Sequence, residues 1–274
     1  MDAKGLFNLI IERKSFLCVG LDPDPDKLPA CLKGSADILF EFCSRIIDAT
    51  RDLCVAYKPN LAFFEQYGAD GWRSLERIVR HIGKGHLVIA DAKRGDIGNT
   101  STMYARAFFE TLGADAVTVA PYMGRDSVTP FLSFPGKWTV VLALTSNKGS
   151  EDFQMLRFTE GQSEGFLFEK VLKEVASWGT EDQLMFVVGA THPGLFSAVR
   201  KIVPDHFLLV PGVGAQGGDL EAVCEAGMNN RCGLLINSSR QILYASGGDD
   251  FAEMARKEAE NVRDRMAAIL KSRF

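Results

Sequence analysis

Residues 86–100 read HLVIADAKRGDIGNT. An apolar run, Leu87-Val88-Ile89-Ala90, leads into Asp91-Ala92-Lys93, then a glycine turn, then Asp96-Ile97. The run reads as a buried strand. Strand side chains alternate faces, so Asp91 and Lys93 are expected to point the same way. Asp96 follows the bend at Gly95 and is placed to return to the same spot. Two carboxylates around one ammonium, at the exit of an apolar strand, carry a desolvation cost that packing does not offset. Such clusters are either structural ion pairs at a surface turn or functional groups. The segment alone leaves both readings open.

Seven similar runs lie elsewhere: Phe16–Asp22, Cys54–Asn60, Ala116–Pro121, Trp138–Ser146, Leu184–Thr191, His206–Gly214 and Gly233–Arg240. With His86–Lys93 they make eight. Most are short, rich in Val, Ile, Leu and Phe, and lack polar alternation. That pattern suits parallel strands buried on both faces. Helical patterns lie between many of them. Ala36–Leu53 carries Ile38, Leu39, Phe42, Ile46 and Ile47 on one stripe, and Thr102–Leu112 spaces Tyr104, Phe108 and Leu112 four apart before Gly113. Asp219 is placed to cap a short helix ending near Gly227, and Asp250–Lys271 is rich in helix formers. Eight β-α alternations predict an α/β fold, a single (β/α)₈ TIM barrel domain over residues 1–274. A doubly wound sheet is the alternative, but Gly20-Leu21-Asp22-Pro23 is not its glycine fingerprint. The long stretch Asn147–Gln183 predicts a loop excursion before a helix around Phe166–Trp178.

Composition agrees with a globular chain that has a substantial core. The 274 residues are 46% hydrophobic, and mean hydropathy is near zero. A net charge of −4 argues against a general nucleic-acid binder. No apolar stretch is long enough to span a membrane. Met1–Lys14 reads as an amphipathic helix and not as a signal peptide. The six cysteines contain no C-x-x-C pair, so buried reduced thiols and a cytoplasmic location are expected. The four histidines show no metal-ligand spacing, and His192 reads as a polar loop residue.

In a barrel, chemistry collects where strands end. The strand ends here are polar: Asp22; Lys58-Pro59-Asn60; Asp91, Lys93 and Asp96; Thr145-Ser146-Asn147; the loop Pro211–Asp219; and Asn237-Ser238-Ser239-Arg240. The loop holds Gly212, Gly214, Gly217 and Gly218, a helix N-terminus follows, and Arg240 offers a forked cation. Together these predict a phosphate site. A surface loop with a helix-capping aspartate is the plainer alternative. No G-K-[ST] follows, so this is not a nucleotide P-loop.

The segment Val88–Thr100 resembles the active-site signature of the orotidine 5′-phosphate decarboxylase family. Gly20-Leu21-Asp22-Pro23-Asp24, Tyr57-Lys58-Pro59-Asn60, the Pro211–Asp219 loop and Arg240 follow in the family's order. The resemblance spans nearly the whole chain and looks like the longer bacterial-type subgroup. The D-x-K-x-x-D core alone is shared with related sugar-phosphate decarboxylases and synthases. Those enzymes use magnesium, and the resemblance places a metal-binding glutamate at the end of their second strand. Lys58 stands there in this chain, and an ammonium repels a metal. A Schiff-base role for Lys93 calls for a lowered pKa, which flanking carboxylates oppose.

The resemblance therefore implies a metal- and cofactor-free decarboxylation of orotidine 5′-monophosphate (OMP) to UMP. Lys93 would stabilise charge at C6 and deliver the proton. Asp91 and Asp96 would hold Lys93. Asp22 and Lys58 would contact the ribose and complete the charge network. Ser146 would read the pyrimidine edge, Thr100 would reach a ribose hydroxyl, and Ile97 would shape the apolar side. Gln216 and Arg240 would hold the phosphate, with Pro211 and Gly217 in the same loop and Gly212–Gly218 acting as a lid. The resemblance also implies a homodimer in which Asp96 enters the neighbouring subunit's site. A non-catalytic phosphate-binding barrel remains the alternative from another class.

Overall fold

All eight apolar runs form strands, and the strands are parallel. In a computed structural model, which describes residues 1–160, 163–214 and 217–274, they are β1 (Leu17–Leu21), β2 (Ala56–Pro59), β3 (Leu87–Arg94), β4 (Ala116–Val119), β5 (Trp138–Leu144), β6 (Leu184–Val188), β7 (Phe207–Pro211) and β8 (Leu234–Ser238). Each pairs with its neighbour in sequence, and β8 pairs back onto β1 to close a barrel. Nearly every strand residue is buried. Both strand faces meet apolar neighbours, the barrel interior on one side and the helical layer on the other, so polar alternation is missing from the sequence.

Helices fill the crossovers. Ile38–Thr50 starts where the Asp37 carboxylate accepts the Phe40 N–H at 3.0 Å and buries Leu39, Phe42, Cys43, Ile46 and Ile47 on one stripe. The same carboxylate accepts the Ser74 hydroxyl at 2.7 Å, tying this helix to its neighbour Gly68–Ile82. After β3, the helix Gly98–Arg106 widens into a π turn over Ala107–Thr111 and stops at Gly113, φ 78°. Asp219 caps Leu220–Gly227 by accepting from Glu221 and Ala222. The excursion after β5 holds a short helix, Ser150–Phe153, and an antiparallel ribbon of Arg157–Glu160 with Ser163–Phe166, before the helix Leu167–Ala176.

The two chain ends meet at the bottom of the barrel, where the strands begin, although the last helix starts on the strand-exit side, with Phe251 stacked on Phe42 at 5.3 Å between ring centroids. Ala3–Arg13 buries Leu6 and Ile10, and the indole N–H of Trp138, the first residue of β5, donates to the Met1 carbonyl at 2.7 Å. Phe251–Arg273 buries Ala255, Ala259, Val262, Met266 and Leu270 along one face. Phe7 and Phe274 meet edge to face, ring centroids 5.3 Å apart.

Candidate active site at the strand exits

Three side chains from adjacent strands meet at the top of the barrel. Lys58 on β2 donates to Asp91 Oδ2 at 2.7 Å, and Lys93 on β3 donates to Asp91 Oδ1 at 2.6 Å. The Thr118 hydroxyl on β4 donates to the same Oδ1 at 3.0 Å and accepts the Lys93 backbone N–H at 2.8 Å. Lys58 and Asp91 are only 5% and 9% exposed, while the Lys93 ammonium is half-exposed and faces the cleft. Burial alone would raise the Asp91 carboxyl, but Lys58 and Lys93 outweigh it and hold it well below the usual carboxylate range. Burial opposes charge on Lys58 as well, and Asp91 and Asp22 reverse that and raise its pKa. The site is thus a fixed array of full charges.

Strand alternation alone does not make this geometry. The register of β3 on β4 shifts between Ala90 and Arg94, and Lys93 adopts a left-handed backbone, φ 48°. A non-glycine residue there carries strain that surrounding contacts must offset, and such strain concentrates at functional sites.

Two cavities flank the array and share Lys58, Asp91 and Pro211. One, about 180 Å³, is lined by Asp22, Asn60, Gly212, Asn237, Ser239 and Arg240. The other, about 230 Å³, is lined by Lys93, Thr118, Leu142, Thr145, Ser146 and Asn147. Buried oxygens of Asp22 and Asn237 in the first cavity have no hydrogen-bond partner, so they can accept from a ligand hydroxyl. The Arg240 guanidinium is exposed and has no side-chain partner among the described residues. The pair of cavities can hold an anion at Arg240, a hydroxylated middle near Asp22, and a flat ring between Lys93 and Ser146.

Comparison with known proteins gives the family. Residues 15–255 match the model of the "Orotidine 5'-phosphate decarboxylase / HUMPS family". The chain is 56% identical to an orotidine 5′-phosphate decarboxylase of Bacteroides fragilis, over 99% of both chains. It is 57% identical to that of Flavobacterium johnsoniae over the full length of both. The chain belongs to the orotidine 5′-phosphate decarboxylase / HUMPS family. Among solved structures, Leishmania donovani OMP decarboxylase superposes with a TM-score of 0.80 at 39% identity, covering 96% of this chain and all of that one.

Within this decarboxylase family fold, Asp22, Lys58, Asp91, Lys93, Ser146, Pro211 and Arg240 all line the paired cavities. Asp96 does not return to Lys93 of its own chain. Its carboxylate accepts the Ile97 N–H at 2.7 Å, and no ion pair joins it to Lys93 among the described residues. Arg94 stays on the ladder beside β4, its carbonyl accepting the Ala120 N–H at 2.8 Å, and the chain departs only after it, where β3 ends. Ile97 and Thr100 lie on that departing segment, exposed and outside both cavities. Gly217 is exposed with φ 85° and also lies outside the cavities. Gln216 lies outside the described residues.

The glycine loop differs from the expected open cradle. The N–H groups of Gly214, Gly217 and Gly218 donate within the loop, to Gly218, Gly214 and Gly212. The following helix N-terminus is already satisfied by Asp219. Of this loop, the start at Pro211–Val213 lines the first cavity, beside Arg240. Several site residues were missed from sequence. Thr118 sits inside the apolar run Ala116–Val119, and a lone threonine there was the available signal. Tyr244 donates to the Asp22 carbonyl and accepts the Asp24 N–H, both at 2.6 Å, clamping the turn that presents Asp22.

Proposed function

We propose that this chain decarboxylates OMP to UMP and CO₂ without metal or cofactor, using the Lys58–Asp91–Lys93 array. The observation that carries this reading is the half-exposed Lys93 ammonium pinned by a buried carboxylate, facing a cleft with an anion end. Breaking the C6–carboxylate bond leaves an electron pair on C6 with no carbonyl beside it for delocalisation. A fixed cation at that carbon stabilises the developing charge without reorganisation. Lys93 then gives a proton to C6, CO₂ leaves, and the amine regains its proton from solvent. Asp91 holds the Lys93 ammonium in place, and Lys58 keeps Asp91 ionised.

Asp22 takes a ribose hydroxyl, Ser146 the pyrimidine edge, and Arg240 the phosphate, with Pro211, Gly217 and Gln216 completing the phosphate loop. Phosphate binding energy drives closure of Gly212–Gly218 over the site. A magnesium-dependent sugar-phosphate reaction is disfavoured by the donor set. Lys58 stands where a ligand would be needed, and both Asp91 oxygens already accept from Lys58, Lys93 and Thr118.

The working unit is a two-fold homodimer in which Asp96, Ile97 and Thr100 reach the partner's cleft. Two observations support it. Asp96 leaves its own Lys93 unpaired with a second carboxylate, and Ile97, Met103, Tyr122 and Met123 expose apolar side chains on the segments after β3 and β4. The whole chain is one barrel domain. Six free cysteines, five of them buried, support a cytoplasmic setting, and no described helix is long and apolar enough to cross a membrane. The decisive experiment is loss of OMP absorbance with purified protein in EDTA. Turnover unaffected by the chelator supports the reading, and activity that needs added magnesium sinks it.

A further inference from the structure

The excursion between β5 and Leu167–Ala176 plays no part in the mechanism above, yet one of its side chains builds the cleft wall. Gln154 follows the short helix Ser150–Phe153. Its Oε1 accepts the Thr145 N–H at 2.7 Å, and its Nε2 donates to Thr145 Oγ1 at 2.9 Å. Thr145 Oγ1 donates onward to Asn147 Oδ1 at 2.6 Å. The amide oxygen thus takes the Thr145 N–H as a neighbouring strand's carbonyl would, while the amide N–H holds the Thr145 hydroxyl. The strand end needs such a partner. The register of β5 on β6 shifts between Leu142 and Leu144, and Gly189 N–H takes the Leu144 carbonyl at 2.7 Å. Beyond that bond, Thr145, Ser146 and Asn147 have left the ladder while lining the cavity beside Lys93.

Ser146 is gripped from the other side too. Thr191 donates to its carbonyl at 3.4 Å, and Gly189 passes so close that a Cβ there would lie 2.7 Å from Ser146 Cα. Gln154 is itself anchored, because Phe168 N–H donates to its carbonyl at 2.9 Å. Its stem lines a separate apolar cavity with Leu142, Leu167, Phe168 and Val171.

We propose that Gln154 is a positioning residue: it fixes the end of β5 so that Ser146 meets the pyrimidine ring of the substrate. This rests on the assignment of Ser146 above. Without Gln154, Thr145–Asn147 gains conformations that must be frozen out when the ring binds, while the ribose and phosphate contacts on the far side of the cleft are untouched.

The test compares two ligands, UMP and ribose 5-phosphate, which differ by the ring. Gln154→Leu should weaken UMP binding roughly tenfold and raise the KM for OMP in parallel, the effect of one lost ordering contact. Ribose 5-phosphate binding should stay within about twofold, and the double variant with Ser146→Ala should bind UMP no worse than Ser146→Ala alone. Equal losses for both ligands, or additive losses in the double variant, overturn the proposal. If Gln154→Leu does not fold, Gln154→Glu serves. It keeps the acceptor for Thr145 N–H and loses the donor, so a smaller but still ring-selective loss is expected, and a non-selective one overturns the proposal. Wild-type protein inert towards OMP overturns the function while the two-ligand comparison still judges Gln154. Protein that binds neither ligand overturns both.

Discussion

At Lys93 a left-handed backbone, φ 48°, accompanies the 2.6 Å contact of its ammonium with Asp91, while the next residue, Arg94, stays paired with β4. That contact aims the ammonium for the proposed reaction. Lys93→Ala is expected to abolish turnover and to leave UMP binding within roughly an order of magnitude, because the ring and phosphate contacts remain. Retained activity above a few per cent would remove Lys93 from the chemistry. Arg240 poses a different question. It is exposed and free of side-chain partners among the described residues, so its removal should cost binding and not folding. Arg240→Ala should raise the KM for OMP roughly tenfold to a hundredfold with an unchanged melting temperature. A wild-type KM would show that the phosphate sits elsewhere. Of these residues, the charged ones were legible in sequence because a charge at the end of an apolar run has no packing reason. Thr118 and Gln154 were not, since a hydroxyl in a strand and an amide in a loop are ordinary until their partners are known. Asp96 was legible as a site residue, and the resemblance already implied that it serves a neighbouring subunit's cleft, a role that stands as a proposal.

The strands were legible for a simple reason: burial on both faces removes polar residues from short runs, as at Val140 and Val141 in β5 or Leu208 to Val210 in β7. The helix Gly68–Ile82 was not read, although it buries Leu75, Ile78, Val79 and Ile82, because Gly68, Gly71 and the charged residues around them break up its stripe. The ribbon Arg157–Glu160 with Ser163–Phe166 is largely exposed where described, so its sequence carries no burial pattern to find. The strand entrances hold a pH-sensitive element opposite the cleft. His86, just before β3, donates to the Arg51 carbonyl at 2.7 Å, and burial, with Arg13 and Arg51 nearby, lowers its pKa from 6.5 to about 4. As pH falls below the ordinary value, the unfolded chain takes up a proton that folded His86 refuses. Stability from this group is therefore complete above about pH 6.5, declines towards pH 4 and falls no further below it. Burial lowers His206 in the same direction. The melting temperature should drop by roughly 5 °C across that window, and His86→Gln should flatten much of the slope. An unchanged slope in that variant would assign the pH dependence to other groups.

The proposed shared site has a signature that only the assembled molecule can give. In the proposed homodimer, the Lys93→Ala and Asp96→Ala variants are each expected to be inactive alone. In a mixed dimer one cleft lacks both residues and the other combines an intact Lys93 with an intact Asp96. Random exchange makes roughly half of the dimers mixed, each with one native cleft of two, so mixing should restore roughly one quarter of wild-type activity. No recovery after verified subunit exchange would place Asp96 in its own cleft. The Phe7–Phe274 contact has a further consequence at this scale. Both chain ends lie together beneath the barrel, with Met1 against Trp138, on the face opposite the cleft. A short linker can therefore join the old ends, and new ends can be opened in an exposed loop, giving a circular permutant with the same barrel. A second enzyme tethered at either end would likewise hang below the barrel and leave substrate entry at the top unobstructed.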